Sequence, residues 1–315
     1  MNKEKLHIFF NIDDNMLVPA CVCTSSLLHY ADTGTYYVLH ILHGKDLTSE
    51  TRSYFSSLFS KQKKLEIFYH EVTEDLSHIP QIRGFTETAY YRLYAYKYFY
   101  DIERIIYLDV DLCVKCDLSE LYNTTTTTDW YIAGVRSCYT PTQKSNVTKI
   151  GADPETYVNA GVLLFNLEGM RKGDYAKKLE ECIHKIYPDL DQDIINICAK
   201  GKTINVHYKY NFTPQLYFGV LSKNKNYDNI AYSEFVETID NCIIHYNGPK
   251  PWNNPCARDD IWWAEYKRSP IFNWDFYNSI MIKRKGIAEL TIVEIVNYLR
   301  VRTKHRLKSL LYTRL

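Results

Sequence analysis

Residues 104–114 read RIIYLDVDLCV. Arg104–Leu108 is a short apolar run of the kind that forms a strand covered on both faces. It ends in Asp109-Val110-Asp111. Residues i and i+2 of an extended chain point to the same side, so Asp109 and Asp111 present their carboxylates together. They do so at a strand end, where α/β sheets bind their ligands. Two like charges at that spacing repel, and a bound cation relieves the repulsion. The plain alternative is a pair of solvated acids in a turn, a spacing that also arises by chance.

Working outward, short apolar runs alternate with helical patterns. Leu6–Ile12 reads as a buried strand, and Asp13-Asp14-Asn15 offers capping groups for a helix reaching Tyr30. Tyr36–Leu42 reads as a strand, Ser49–Phe59 as a helix, Leu65–Val72 as a strand and Glu87–Phe99 as a helix. Downstream, Thr124–Thr128 is a loop, and Trp130–Val135 and Val162–Leu167 are strands. Glu168–Ile186 is an amphipathic helix, and Ile243–His245 is a short strand entering a Gly/Pro turn. Strands separated by helices predict an α/β fold with a mostly parallel sheet and helices on both faces.

Composition excludes several classes. The 315 residues are 46% hydrophobic with a net charge of +1, which supports a large core and argues against a nucleic-acid partner. The 28 tyrosines suit a sugar-binding groove and equally suit ordinary packing. Nine cysteines without framework spacing fit a reduced protein, and Cys113 and Cys116, the one C-x-x-C, read as structural thiols. The N-terminal apolar run is too short for a signal peptide, and no later stretch reaches the roughly 18 apolar residues a spanning helix needs. N-x-[ST] triplets at Asn123, Asn146 and Asn211 carry no expectation without an export signal. No glycine-rich phosphate cradle follows any strand, so a phosphate would be held by a metal and cations.

Three further motifs bear chemistry. In HYNGPKPW (245–252), His245 offers an imidazole nitrogen to a metal, Gly248 permits close backbone approach, and Lys250 places a positive charge on a phosphate. With Asp109 and Asp111 this makes a mixed oxygen/nitrogen site suited to manganese or magnesium. In YVNAGVLLFNL, Asn159-Ala160-Gly161 precede a buried strand and let a ligand lie close to backbone. In LDQDIIN, Asp191-Gln192-Asp193 read either as ligand groups or as a helix start capped by Asp191 or Asp193.

The order FFNIDDN, AYYRL, IIYLDVDLCV, YVNAGVLLFNL, LDQDIIN, HYNGPKPW resembles glycosyltransferase family 8 over about residues 5 to 266. The bacterial lipopolysaccharide and lipooligosaccharide galactosyl- and glucosyltransferases are the nearest group, and glycogenin is more distant. The resemblance implies a GT-A, Rossmann-like fold and a metal-dependent transfer of a hexose from a UDP-sugar that retains anomeric configuration. It implies that Asp109, Asp111 and His245 ligate Mn2+ or Mg2+, and that Asp13 and Asn15 hold the uridine. Phe85 and Val110 fall among the donor-binding positions. Arg92, Asn159, Ala160, Gly161, Asp191 and Gln192 match donor-sugar positions, with Gln192 nearest the reactive face and Asp191 and Asp109 beside it. Gly248 and Lys250 match diphosphate contacts. The chain departs from the bacterial galactosyltransferase pattern in three places. One residue fewer separates Gly248 from Lys250, Gly84 replaces a histidine of the acceptor and donor pocket, and Leu190 replaces a polar residue.

Two other readings compete. A haloacid-dehalogenase-type phosphohydrolase also ends a strand in Asp-x-Asp, but Leu112-Cys113 fits its continuation poorly and no acidic pair follows. A non-catalytic, membrane-associated sugar-binding module would need a decayed site, whereas the metal set is complete.

The expected division is a catalytic domain over 1–266 and a basic, largely helical tail over 267–315. From Lys283 onward there are nine Lys/Arg against two Asp/Glu, with Ile292, Ile295, Val296, Leu299, Leu307, Leu310 and Leu311 at helical spacing. That segregation predicts a membrane-surface element on an anionic inner leaflet. The expected partners are thus a UDP-sugar, a saccharide or glycolipid acceptor and an anionic membrane, with the protein in the cytoplasm or peripheral on the inner face of the plasma membrane.

Overall fold

The structure is a computed structural model that describes residues 4–76, 79, 87–124, 127–227 and 230–283. Phe85, Gly84, part of the threonine run and the tail from 284 lie outside the described residues. Nine strands are described: β1 (Glu4–Asn11), β2 (Thr35–His43), β3 (Leu65–Glu71), β4 (Arg104–Leu108), β5 (Leu112–Val114), β6 (Ile132–Arg136), β7 (Val158–Asn166), β8 (Thr203–Asn205) and β9 (Ile243–His245). Seven form one sheet in the order β3-β2-β1-β4-β7-β6-β8, and β5 pairs with β9 in a separate ribbon.

The chain lays down β1, β2 and β3 in one direction and then returns to place β4 on the other side of β1. All of these pairings are parallel. The crevice between β1 and β4 is therefore a topological switch point, the place where open α/β sheets bind ligands. The Asp13 segment leaves β1 there and Asp109 leaves β4. β7 alone is antiparallel to both of its neighbours, β4 and β6.

Alternate residues of the strands feed opposite faces. Phe9, Ile105, Tyr107, Leu163 and Phe165 join one apolar cluster, while Ile8, Phe10, Ile106, Leu108 and Leu164 join another. Both faces are covered, which is why these strands read as continuous apolar runs rather than alternating ones. A third cluster surrounds the β5–β9 ribbon and helix Asp259–Arg268, with Trp262 fully buried.

Several elements differ from expectation. Residues 87–99 form a 3-10 helix (Glu87–Tyr94) followed by one α-helical turn (Ala95–Tyr98). Glu168–Ile186 is two helices, Leu167–Lys172 and Tyr175–Cys182, interrupted at Gly173, where any Cβ would collide with the Tyr131 ring. Asn159-Ala160-Gly161 lie inside β7 rather than before it. The expected boundary at 266/267 falls within helix Asp259–Arg268. Residues 274–283 are also helical, and Phe276, Tyr277 and Ile280 pack against the third cluster.

Candidate active site

The ribbon brings distant motifs together. Leu112 of β5 pairs with His245 of β9, and Tyr246 N donates to Asp111 O at 3.0 Å. On the other side, Asp109 N donates to Gly161 O of β7 at 2.8 Å. His245 Nε2 then lies 3.3 Å from Asp111 Oδ1 and 3.7 Å from Asp109 Oδ2. One ligand atom from each of the three residues falls within 4.8 Å of the others, the only such cluster among the described residues.

The donor set fits a divalent cation. Asp111 Oδ1 is buried and makes no hydrogen bond among the described residues, an arrangement that is costly unless something else fills its coordination. Two carboxylates and an imidazole suit manganese or magnesium better than a soft metal. Burial pushes the Asp111 carboxyl up, but His245 and Lys250 outweigh it and hold it well below the usual range. Lys250 ion-pairs with Asp111 Oδ2 and donates to Tyr246 O at 2.8 Å.

Arg92 organises the opposite wall. It projects from the 3-10 segment with its side chain only 8% exposed. Nε donates to Asp191 Oδ2 at 2.5 Å, and Nη1 donates to Asp109 Oδ1 at 3.1 Å and to Ala160 O at 2.9 Å. Its guanidinium sits 4.6 Å from the Tyr107 ring centre, and the Tyr107 hydroxyl donates to Asp109 Oδ1 at 2.5 Å. Burial raises the Asp191 carboxyl, with the Arg92 guanidinium opposing. Next to Asp191, Leu190 adopts φ +52°, a left-handed conformation rare for a branched residue. Strain of this kind collects at functional sites.

A row of amides joins the two walls. Gln192 Oε1 accepts from Ala160 N and from Asn159 Nδ2, both at 3.0 Å, while Gln192 Nε2 donates to the Tyr157 hydroxyl at 3.1 Å. Tyr157 in turn donates to Asp193 Oδ1 at 2.5 Å, and Asp193 Oδ2 accepts from Asp189 N at 2.9 Å. Asp193 thus steadies the turn before helix Leu190–Cys198 without itself being the N-cap.

Two cavities meet at this centre, and a third adjoins them. One of about 180 Å³ is lined by residues including Asn11, Asp13, Thr88, Tyr107, Val110 and Trp252. A second, of about 320 Å³, is lined by Ala160, Gly161, Asp191, Gln192 and His245 among others. Arg92, Asp109, Asp111 and Lys250 line both. A third, of about 390 Å³, shares Asn159, Asp189, Gln192 and Asn247 with the second and continues past Ser137, Gln143 and Asn146.

Of the residues the sequence singles out, Asp109, Asp111, His245, Arg92, Asn159, Ala160, Gly161, Asp191, Gln192, Lys250, Val110 and Asp13 line these cavities. Asp13 is also the expected cap, accepting from Asn15 N at 2.9 Å and Met16 N at 3.2 Å. Asn15 and Gly248 are exposed, and neither is among the lining residues. Phe85 is outside the described residues. Cys113 and Cys116 are free and buried, and burial pushes both thiols up, Cys116 to about 12, as expected of structural cysteines. The sequence reading missed Tyr107, Asn11 and Asn211. Asn11, beside the smaller cavity, is 9% exposed, and neither of its amide atoms has a partner among the described residues. A polar residue ending an otherwise apolar strand was the available signal for it.

Comparison with known proteins places the chain among glycosyltransferases. The chain is 30% identical over 70% of its length to a Haemophilus influenzae protein named as a glycosyltransferase, of which it spans 65%. It is 28% identical to an Escherichia coli lipopolysaccharide 1,2-glucosyltransferase, covering 88% of this chain and 79% of that one. A crystal structure of the galactosyltransferase LgtC with donor and acceptor sugar analogs superposes with a TM-score of 0.72 at 25% identity. That match covers 87% of this chain and 99% of LgtC. This likeness carries the GT-A expectation and sets aside the phosphohydrolase reading. The profile of Glycosyl transferase family 8 matches residues 7–256, and the chain belongs to that family.

Proposed function

We propose that this family member moves a glucose or galactose from a UDP-sugar to a hydroxyl of a saccharide in lipopolysaccharide-type glycan assembly, with retention and with a divalent cation. The observation that carries the reading is the convergence of Asp109, Asp111 and His245 between two cavities. The smaller cavity suits the nucleoside, where Asp13 and Asn11 offer acceptors and an amide. The larger suits the sugar, against Ala160, Gly161, Asp191 and Gln192.

Asp109, Asp111 and His245 would hold Mn2+ or Mg2+, which supplies charge neutralisation to the departing diphosphate. Lys250, beside Asp111 and lining both cavities, would add a positive charge where negative charge develops. Arg92 remains bound to Asp191 and Asp109 and fixes their positions. Gln192 Oε1 already accepts two N–H groups, which makes it a weak nucleophile. That favours attack by the acceptor hydroxyl from the face the diphosphate leaves, without a covalent intermediate. The third cavity, opening past Gln192, is suited to the acceptor and among the described residues carries no lysine or arginine in its lining.

The test is a screen of UDP-sugars for Mn2+-dependent release of UDP. Turnover of UDP-glucose or UDP-galactose that needs the cation supports the reading. Binding without turnover of any UDP-sugar would favour a non-catalytic sugar-binding module. Among the described residues no helix is long and apolar enough to cross a membrane. The basic charge of residues 283–315 supports placement on the cytoplasmic face of an anionic membrane, where sugar nucleotides are available. A chain truncated before Lys283 should then leave the membrane fraction.

A further inference from the structure

Asn211 is 1% exposed and precedes the bridge between Phe212 and Ile244. Its Oδ1 lies 2.8 Å from His245 Nδ1, and its Nδ2 donates to Asn159 Oδ1 at 2.7 Å. Being buried, it is no acceptor for a glycan despite its N-x-T setting. Its orientation follows from backbone groups that cannot be reversed. Ala160 N–H must find an oxygen, so Gln192 presents Oε1 to it. Asn159 meets that same Oε1, so it must offer Nδ2. Its Oδ1 then faces Gly161 N–H, the donor at 3.0 Å, which is consistent. Asn211 must therefore donate from Nδ2 to Asn159 and is left with Oδ1 toward His245. That oxygen can only accept, so His245 donates from Nδ1, which leaves Nε2, facing Asp109 and Asp111, as the nitrogen that can give a lone pair to an ion held there.

We propose that Asn211 is a positioning residue: it fixes the ligating tautomer of His245 and ties the cation centre, through Asn159, to the sugar-facing amide of Gln192. The proposal rests on the reading of Asp109, Asp111 and His245 as metal ligands. Partners that orient a ligating imidazole in this way are typically worth about 10- to 100-fold in metal affinity.

The experiment measures Mn2+ binding to the purified full-length chain by electron paramagnetic resonance, with thermal unfolding followed in parallel. Asn211→Leu should weaken binding about 10- to 100-fold. Asn211→Asp retains an acceptor for Nδ1 and should stay within about threefold of wild type. The Asp variant loses the donor to Asn159, so its kcat for UDP-sugar hydrolysis should fall while Mn2+ affinity holds. Wild-type affinity in Asn211→Leu would overturn the proposal. So would equal loss in both variants, which would make Asn211 a packing residue only. A wild-type chain that fails to bind Mn2+ would instead reject the metal reading itself, and the two failures are distinguishable.

Discussion

His245 Nε2 stands 3.3 Å from Asp111 Oδ1 because the ribbon register sets His245 opposite Leu112, the residue after Asp111. A three-residue strand near the end of the chain thus completes a centre begun at the end of β4. The third side of that centre is Gly161.

A Cβ on Gly161 would overlap His245 Cε1 and lie 2.9 Å from Asp109 Oδ2. Backbone strain is not the issue, since β7 is a regular strand. Gly161→Ala should therefore displace a ligand rather than unfold the sheet. Mn2+ affinity should fall by at least about tenfold, the scale of disturbing a ligand's support. The unfolding midpoint should change little, and calorimetry on the apo protein reads both quantities.

Among the described residues Arg92 is the only cation paired with Asp191, which is 5% exposed. Removing one partner of such a buried pair leaves an uncompensated charge and costs about 3–5 kcal/mol. Arg92→Met should show that loss in urea unfolding. The double change Arg92→Met with Asp191→Asn should recover part of it, because the stranded carboxylate is gone. No recovery would mean that Arg92 acts mainly through Asp109 and Ala160.

Acid sensitivity should arise far from the metal. His7, His40 and His70 form a row across β1, β2 and β3, with links of 3.0 and 2.9 Å. Each link needs one N–H and one lone pair, so two neighbouring rings cannot both be charged without breaking the link between them. Burial lowers all three imidazoles, His40 to about 3, with its two neighbours adding to the shift. Asp101 and Glu66 work against the shift at His7, and Lys5 works with it. For His40 the unfolded chain binds the extra proton between about pH 6.5 and pH 3, so its contribution to stability is full above that window and falls as pH drops through it, by up to about 1.4 kcal/mol per pH unit, and His7 and His70 act in the same direction. Urea midpoints at pH 7.5 and 5.5 should differ in that direction, and His40→Gln should narrow the difference.

Lys250 touches Asp111 but is not a member of the ligand cluster. Lys250→Ala should lower kcat by about 10²-fold, the cost of one group that stabilises developing charge. Mn2+ binding should survive it. Equal loss of binding and turnover would make Lys250 a support for Asp111 rather than a contact of the diphosphate.

Much of this arrangement was legible in sequence, and particular residues explain where legibility ended. Apolar runs announced β1 to β4, and Asp109-Val110-Asp111 announced its own geometry through the period of a strand. The direction of β7 was not legible, because strand polarity is decided by pairing with β4 and β6 and leaves no local mark. Glu87–Tyr94 misled because a segment so rich in buried aromatic residues satisfies a threefold period as readily as a 3.6-fold one. Gly173 interrupts a long amphipathic pattern at a place where the Tyr131 ring leaves no room for a Cβ, a tertiary requirement with no local mark. Asn211 carried only a modification triplet as its signature, and its role appears once β9 lies beside it.

The most direct measurement is a titration of the metal-free chain with Mn2+, read by electron paramagnetic resonance, for wild type and for Asp109→Ala, Asp111→Ala and His245→Ala. Three side chains sharing one ion predict a single site in wild type, lost by at least about 100-fold in each variant, with Mn2+-dependent UDP-sugar turnover lost in step. A wild-type chain that turns over UDP-sugar in the presence of a chelator, or variants that bind Mn2+ as well as wild type does, would contradict the account.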